Sequence, residues 1–117
     1  LDEDMASLLQ HNQAVMLSLY ATSDIGIHYY GWEKDEMMKL WSGYGITDEA
    51  TVEAITNLIL EEPGNYLKYY VGYMKFTQLR EACEAKQKSA FDPVQFHEEI
   101  MRIGPAPFEL LEEKLVN

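Results

Sequence analysis

The sequence predicts an all-α fold, a single helical domain over residues 1–117 with about six helices. Three observations carry that prediction. Apolar residues recur three and four positions apart, the spacing of one helix face, and no stretch alternates long enough to make a good strand. The periodic stretches are separated by SDIGIHYYG, SGYGIT, EEPGN, FDP and IGPAP, each holding Gly, Pro, Asp or Ser, the residues that break helices. The chain has 117 residues, 47% apolar and 25% charged, which is the composition and length of one ordinary globular domain.

The first helix starts near Met5, with Leu8, Leu9, Met16, Leu19 and Tyr20 on one face, and the break at SDIGIHYYG is expected to end it. A short helix from Glu33 to Trp41 carries Met37, Leu40 and Trp41, with Gly43 as its stop. Thr47 reads as the N-cap of the third helix, because Asp48 and Glu49 would then sit at the positive end of its dipole. Ala54, Ile55, Leu58 and Ile59 should face inward there, until Pro63-Gly64 ends the helix. Residues 66–88 read as one long helix. Tyr66, Leu67, Tyr69, Tyr70, Val71, Tyr73, Met74 and Phe76 make its first half apolar almost all round, so it is expected to be buried on every side. Its second half, from Arg80, is charged. Asp92-Pro93 opens the next helix with a capping Asp, Pro at the first helical position and Gln95 placed for a capping box. Phe96, Ile100 and Ile103 form its stripe, Gly104 stops it, and a last helix from Pro107 presents Phe108, Leu111 and Leu115.

Charge excludes several function classes. Twenty acids against nine bases give a net charge of −11, which repels the phosphate backbones of nucleic acids and anionic lipid alike. No apolar run approaches the roughly 20 residues of a membrane span. The single cysteine, Cys83, has no partner for an intramolecular disulfide, and its helical setting reads as packing rather than nucleophilic chemistry. The opening LDEDM is acidic and shows no signal peptide. A chain that opens on Leu1 is expected to be part of a longer polypeptide, whose remainder would cover the long apolar helix.

Among residue types that carry chemistry, FHEEIM offers His97-Glu98, but a zinc-binding helix needs a second histidine four positions on, and position 101 is Met. His97 is therefore read as a structural side chain beside Phe96. Asp24 precedes His28 by four residues, so a helical turn there would let the carboxylate orient the imidazole. Four of the eight tyrosines lie between Tyr66 and Tyr73. Their phenols either pack or line a site where a hydroxyl donates to a developing oxyanion.

The stretches PGNYLKYYVGYMKFTQLREA, FDPVQFHEEI and IGPAPFELLEE, with SDIGIHYYGW upstream, resemble the bacterial proteins called domain of unknown function 885. The residues that carry the likeness are Asp24, Gly26, His28, Gly31 and Trp32, then Pro63, Gly64, Tyr69, Gly72, Leu79 and Arg80, then Phe91, Phe96, His97, Gly104 and Pro107. The chain departs from the family pattern in having Asn65 for Gln, and Tyr20 where an Arg is usual. The family is related to gluzincin zinc metallopeptidases, and YLKYYV is similar to the Tyr-hydrophobic-Arg-Tyr-Phe-Val segment of the angiotensin-converting-enzyme-like members. That resemblance implies that Tyr69 stabilises the oxyanion and that Tyr66 contacts the substrate carboxylate, with Lys68 and His28 also toward substrate. Asp24, Arg80 and His97 would be structural support.

Neither His-Glu-x-x-His nor a following ligand Glu is matched here. The resemblance thus implies the substrate-side C-terminal region of a zinc peptidase, with no cofactor held in this chain and zinc held by the longer polypeptide. Expected partners are the rest of that polypeptide, a peptide substrate or a second copy of the chain. The family relation allows export or lipid anchoring. The competing reading is a non-enzymatic helical module whose tyrosine-rich face binds another protein. The longer reading frame separates the two, because only the first requires the zinc motif upstream.

Overall fold

The structure, a computed structural model, describes residues 2–117. Six α-helices follow one another: α1 (Glu3–His28), α2 (Lys34–Ser42), α3 (Glu49–Glu61), α4 (Asn65–Gln87), α5 (Pro93–Ile103) and α6 (Phe108–Leu115), with a short 3-10 turn at Lys88–Ala90. No strand occurs among the described residues. The all-α expectation holds, and every expected helix is present.

Local chemistry sets most of the ends. Asp2 caps α1 by accepting the Met5 N–H at 2.7 Å. Glu33 and Glu36 make a reciprocal capping box at the start of α2. The third helix is capped by Asp48, one residue later than Thr47. Its carboxylate takes both the Thr51 N–H, at 3.1 Å, and the Thr51 hydroxyl, at 2.6 Å. The Thr51 hydroxyl and then its amide hold the Asp48 carboxyl below the ordinary carboxylate range. Asp92 caps α5, but its carboxylate accepts from the Val94 N–H, with Pro93 opening the helix. Gly104 ends α5 at φ 78°, a left-handed position that favours glycine.

Packing falls into two compact units, one reaching to Val71 and the other running from Gly72 to Asn117. The core of the first gathers Leu19, Ile27, Met37, Trp41, Val52, Ile55 and Ile59. The inward stripe of α3 is thus Val52, Ile55 and Ile59, while Ala54 and Leu58 face outward. In α1 the inward face begins at Met16, and Leu8 and Leu9 are exposed because nothing in the unit lies over the first turns. The core of the second unit gathers Leu79, Cys83, Phe96 and Leu111.

Two further expectations need correction. The SDIGIHYYG stretch does not break α1, which continues to His28. The residues expected to end the helix are occupied otherwise. The Ser23 hydroxyl accepts the Trp41 indole N–H at 3.0 Å, Asp24 reaches a distant turn, and Gly26 lies under the Trp32 ring. The long helix α4 matches its expected span but is not buried on every side. Its buried residues are Leu79 and Cys83, in the charged half, because α5 and α6 fold back there with Phe96 and Leu111. The apolar half, including Tyr69, Val71, Tyr73, Met74 and Phe76, is exposed in this chain.

Candidate functional site

At the end of α1, Asp24 pairs with His28 and reaches the start of α4. A helix start needs acceptors for its first N–H groups, and α4 opens on Gly64 (φ 79°), which has no side chain to offer one. Asp24 of α1 supplies the acceptor instead. Its Oδ1 takes the Gly64 N–H at 2.9 Å and its Oδ2 takes the Leu67 N–H at 3.3 Å. The same Oδ1 lies 2.8 Å from His28 Nδ1, one helical turn on. The Asp24 side chain is only 2% exposed, whereas His28 is 27% exposed. A buried carboxylate at the positive end of a helix, with N–H groups pointing at it, is well placed. The arrangement holds the imidazole through Nδ1.

Two glycines complete this bracket. A Cβ at Gly26 would overlap the Trp32 ring, so only glycine lets that indole lie on the helix. The Trp32 N–H also bonds the Gly26 carbonyl at 2.9 Å, and Gly31 makes the intervening turn at φ 69°. The Asp-x-Gly-x-His-x-x-Gly-Trp run is therefore one device. It turns the chain after α1 and clamps the start of α4.

The clamp sets where the tyrosines of α4 point. Tyr66 is half-buried and lies 4.7 Å, ring to ring, from Tyr20, which meets Trp41 edge-on at 5.3 Å. Burial, and then the neighbouring Tyr66 phenol, raise the Tyr20 hydroxyl above its ordinary pKa. Tyr20 thus makes aromatic contacts with both Tyr66 and Trp41. Tyr69 is different: it is 56% exposed, and the Lys68 ammonium lies 5.3 Å from its ring centre. Its hydroxyl has no partner among the described residues.

Arg80 and His97 belong to the second unit. The Arg80 guanidinium lies 5.9 Å over the Phe91 ring, and His97 meets Phe96 edge-on at 5.5 Å. His97 is exposed and bonds no loop among the described residues. Cys83 is 1% exposed, with its thiol 3.8 Å from the Leu115 carbonyl. Burial pushes that thiol up, Lys86 opposing and Glu99 adding, so it stays protonated and is a poor nucleophile.

A family model described as a bacterial protein of unknown function (DUF885) matches residues 1–115. The chain belongs to the DUF885 family. No curated protein and no solved structure matches it. In this DUF885 chain no group of three His, Cys, Asp or Glu side chains among the described residues could hold a metal ion. No helix among them is long and apolar enough to cross a membrane.

The Asp24–His28 pair is the one contact between site residues that spacing alone anticipated. The part of Asp24 in holding α4 was missed. The signal for it was Pro63-Gly64-Asn65, a helix start with a left-handed glycine where a capping side chain is usual.

Proposed function

We propose that this DUF885 chain is the substrate-side helical region of a peptidase-like protein, with Tyr69 as the hydrogen-bond donor to the oxyanion formed when a peptide carbonyl is attacked. The observation that carries the reading is the contrast between two neighbouring phenols. The Tyr66 ring packs against Tyr20, whereas the Tyr69 side chain is exposed, on a helix whose start is pinned by a buried carboxylate. A donor fixed before the reaction strengthens as negative charge develops on the carbonyl oxygen.

Lys68 beside the ring adds positive charge near the same position. His28, oriented by Asp24, offers a second polar contact through Nε2. The zinc ion that the peptidase relation implies does not fit the side chains present, since no set of three ligands converges among the described residues. Its ligands would belong to polypeptide outside this chain. What this chain contributes is positioning and hydrogen bonding.

The test uses the full-length protein with a mixture of unblocked peptides, cleavage being followed by mass spectrometry. Wild type should release fragments, and Tyr69→Phe should nearly abolish release while its melting temperature holds. No cleavage by wild type, or undiminished cleavage by Tyr69→Phe, contradicts the reading.

A second reading is favoured by one observation. Val71, Met74 and Phe76 are exposed on α4 along with Tyr69 and Tyr73, as on a helix that binds another polypeptide. Wild type without peptidase activity that still captures a polypeptide through this face would support it.

A further inference from the structure

The second unit contains a cleft of about 270 Å³ between α4 and α5 that the reading of Tyr69 does not use. For scale, an apolar cavity of roughly 150 Å³ holds benzene. Phe76, Phe96 and Ile100 give it apolar walls, and Arg80 and His97 stand among its lining residues. We infer that this cleft binds a small monocarboxylate that carries an aromatic or branched aliphatic group, the carboxylate pairing with Arg80 and the apolar group lying against Phe76 and Phe96.

The charge pattern carries the inference. The chain has 20 acids and nine bases, yet no Asp or Glu lines this cleft. Two other clefts of the same unit differ: one is lined by Glu109 and Glu112, the other by Glu99. Arg80 makes no ion pair among the described residues. Its guanidinium carbon lies 5.9 Å from the Phe91 ring centre, and no hydrogen bond among the described residues takes up its N–H donors. A planar fork of donors beside apolar walls matches one carboxylate on an apolar body. A ligand with several negative charges is disfavoured, because the chain's net charge is −11 and the cleft offers a single guanidinium. The His97 imidazole, also without a hydrogen-bond partner, can contribute an N–H to the same oxygen pair. The inference is independent of the reading of Tyr69, whose residues lie in the other unit.

The probe is 3-phenylpropionate, titrated into the full chain by calorimetry and by NMR, with the neutral 3-phenylpropanamide beside it. Affinity should be about millimolar for a ligand of this size. The amide should bind at least ~10-fold more weakly, since it lacks the charge-assisted pair. Arg80→Gln should weaken the acid roughly ten- to a hundredfold, and Arg80→Lys, which keeps the charge without the fork, should fall between. Phe76→Ala should weaken acid and amide together, and Arg102→Gln, outside the cleft, should change neither. Should Arg80→Gln fail to fold by circular dichroism, the acid–amide contrast and Arg80→Lys decide. An N-acetylated dipeptide ending in Phe separates two sources of the same chemistry. Tighter binding than 3-phenylpropionate assigns the cleft to a polypeptide C-terminus; weaker binding assigns it to a free organic acid. Equal binding of acid and amide, an unchanged Arg80→Gln, or no saturable binding overturns the inference.

Discussion

Removing the Asp24 carboxylate should loosen the first unit from the start of α4 outward. In Asp24→Ala two backbone N–H groups, those of Gly64 and Leu67, lose their acceptor at once, and His28 loses its partner. Each part-buried N–H left unsatisfied costs about 1–3 kcal/mol, and the lost charge at the helix start adds about 0.3–1 kcal/mol. These terms overlap, since all pass through one carboxylate, so about 3–4 kcal/mol is expected rather than their full sum. Asp24→Asn keeps one acceptor oxygen but turns an amide toward the other N–H, so about 2 kcal/mol should be lost. Urea unfolding followed by tryptophan fluorescence suits the question, because Trp32 and Trp41 both lie in the affected unit. The midpoint should fall while the slope holds, since the surface exposed on unfolding barely changes. An Asp24→Ala midpoint within about 0.5 kcal/mol of wild type would refute the reasoning, since surface substitutions without structural consequence fall in that range.

Gly26→Ala should drive its new methyl into the Trp32 ring and cost about 1–3 kcal/mol, read as a lower melting temperature and a shifted indole emission. Gly64→Ala meets no neighbour but must hold φ 79°, so it should cost roughly 1–2 kcal/mol; a neutral effect would mean that the turn adjusts freely. The Cys83 thiol, raised above 9.0 by burial, should resist maleimide in the native chain and react once urea unfolds it. Because the unfolded chain releases that proton first as pH rises through the ordinary thiol range, Cys83 should make stability decline there, and Cys83→Ala should flatten the decline.

The helices were legible because each carries its own local signal. Asp92-Pro93 starts a helix wherever it occurs, and the spacing of Phe96, Ile100 and Ile103 identifies an inward face without reference to its partner. The continuation of α1 through Ser23, Asp24 and Gly26 was not legible, because the groups that usually break a helix are satisfied by Trp41, Gly64 and Trp32, distant in sequence or folded back from a turn. Thr47 and Asp48 are both good capping residues, and which one caps is settled by the bond to Thr51. In the candidate site, spacing revealed the Asp24–His28 pair because four residues make one helical turn. It could not separate Tyr66 from Tyr69, since the difference lies in where Tyr20 sits. The apolar half of α4 announced burial, and the chain itself does not provide it.

The proposed function turns on the hydroxyl of Tyr69, and steady-state kinetics of three single-atom deletions in the full-length protein test it most directly. Tyr69→Phe, Tyr66→Phe and Tyr73→Phe are compared on one cleaved peptide, with melting temperatures required to stay close to wild type. Loss of an oxyanion donor should lower kcat by about 10²–10³, with KM little changed, because the bond forms mainly in the transition state. Tyr66→Phe, whose ring packs against Tyr20, and Tyr73→Phe should each change little. Equal, small effects at all three positions would contradict the account and leave the tyrosines of α4 as packing residues.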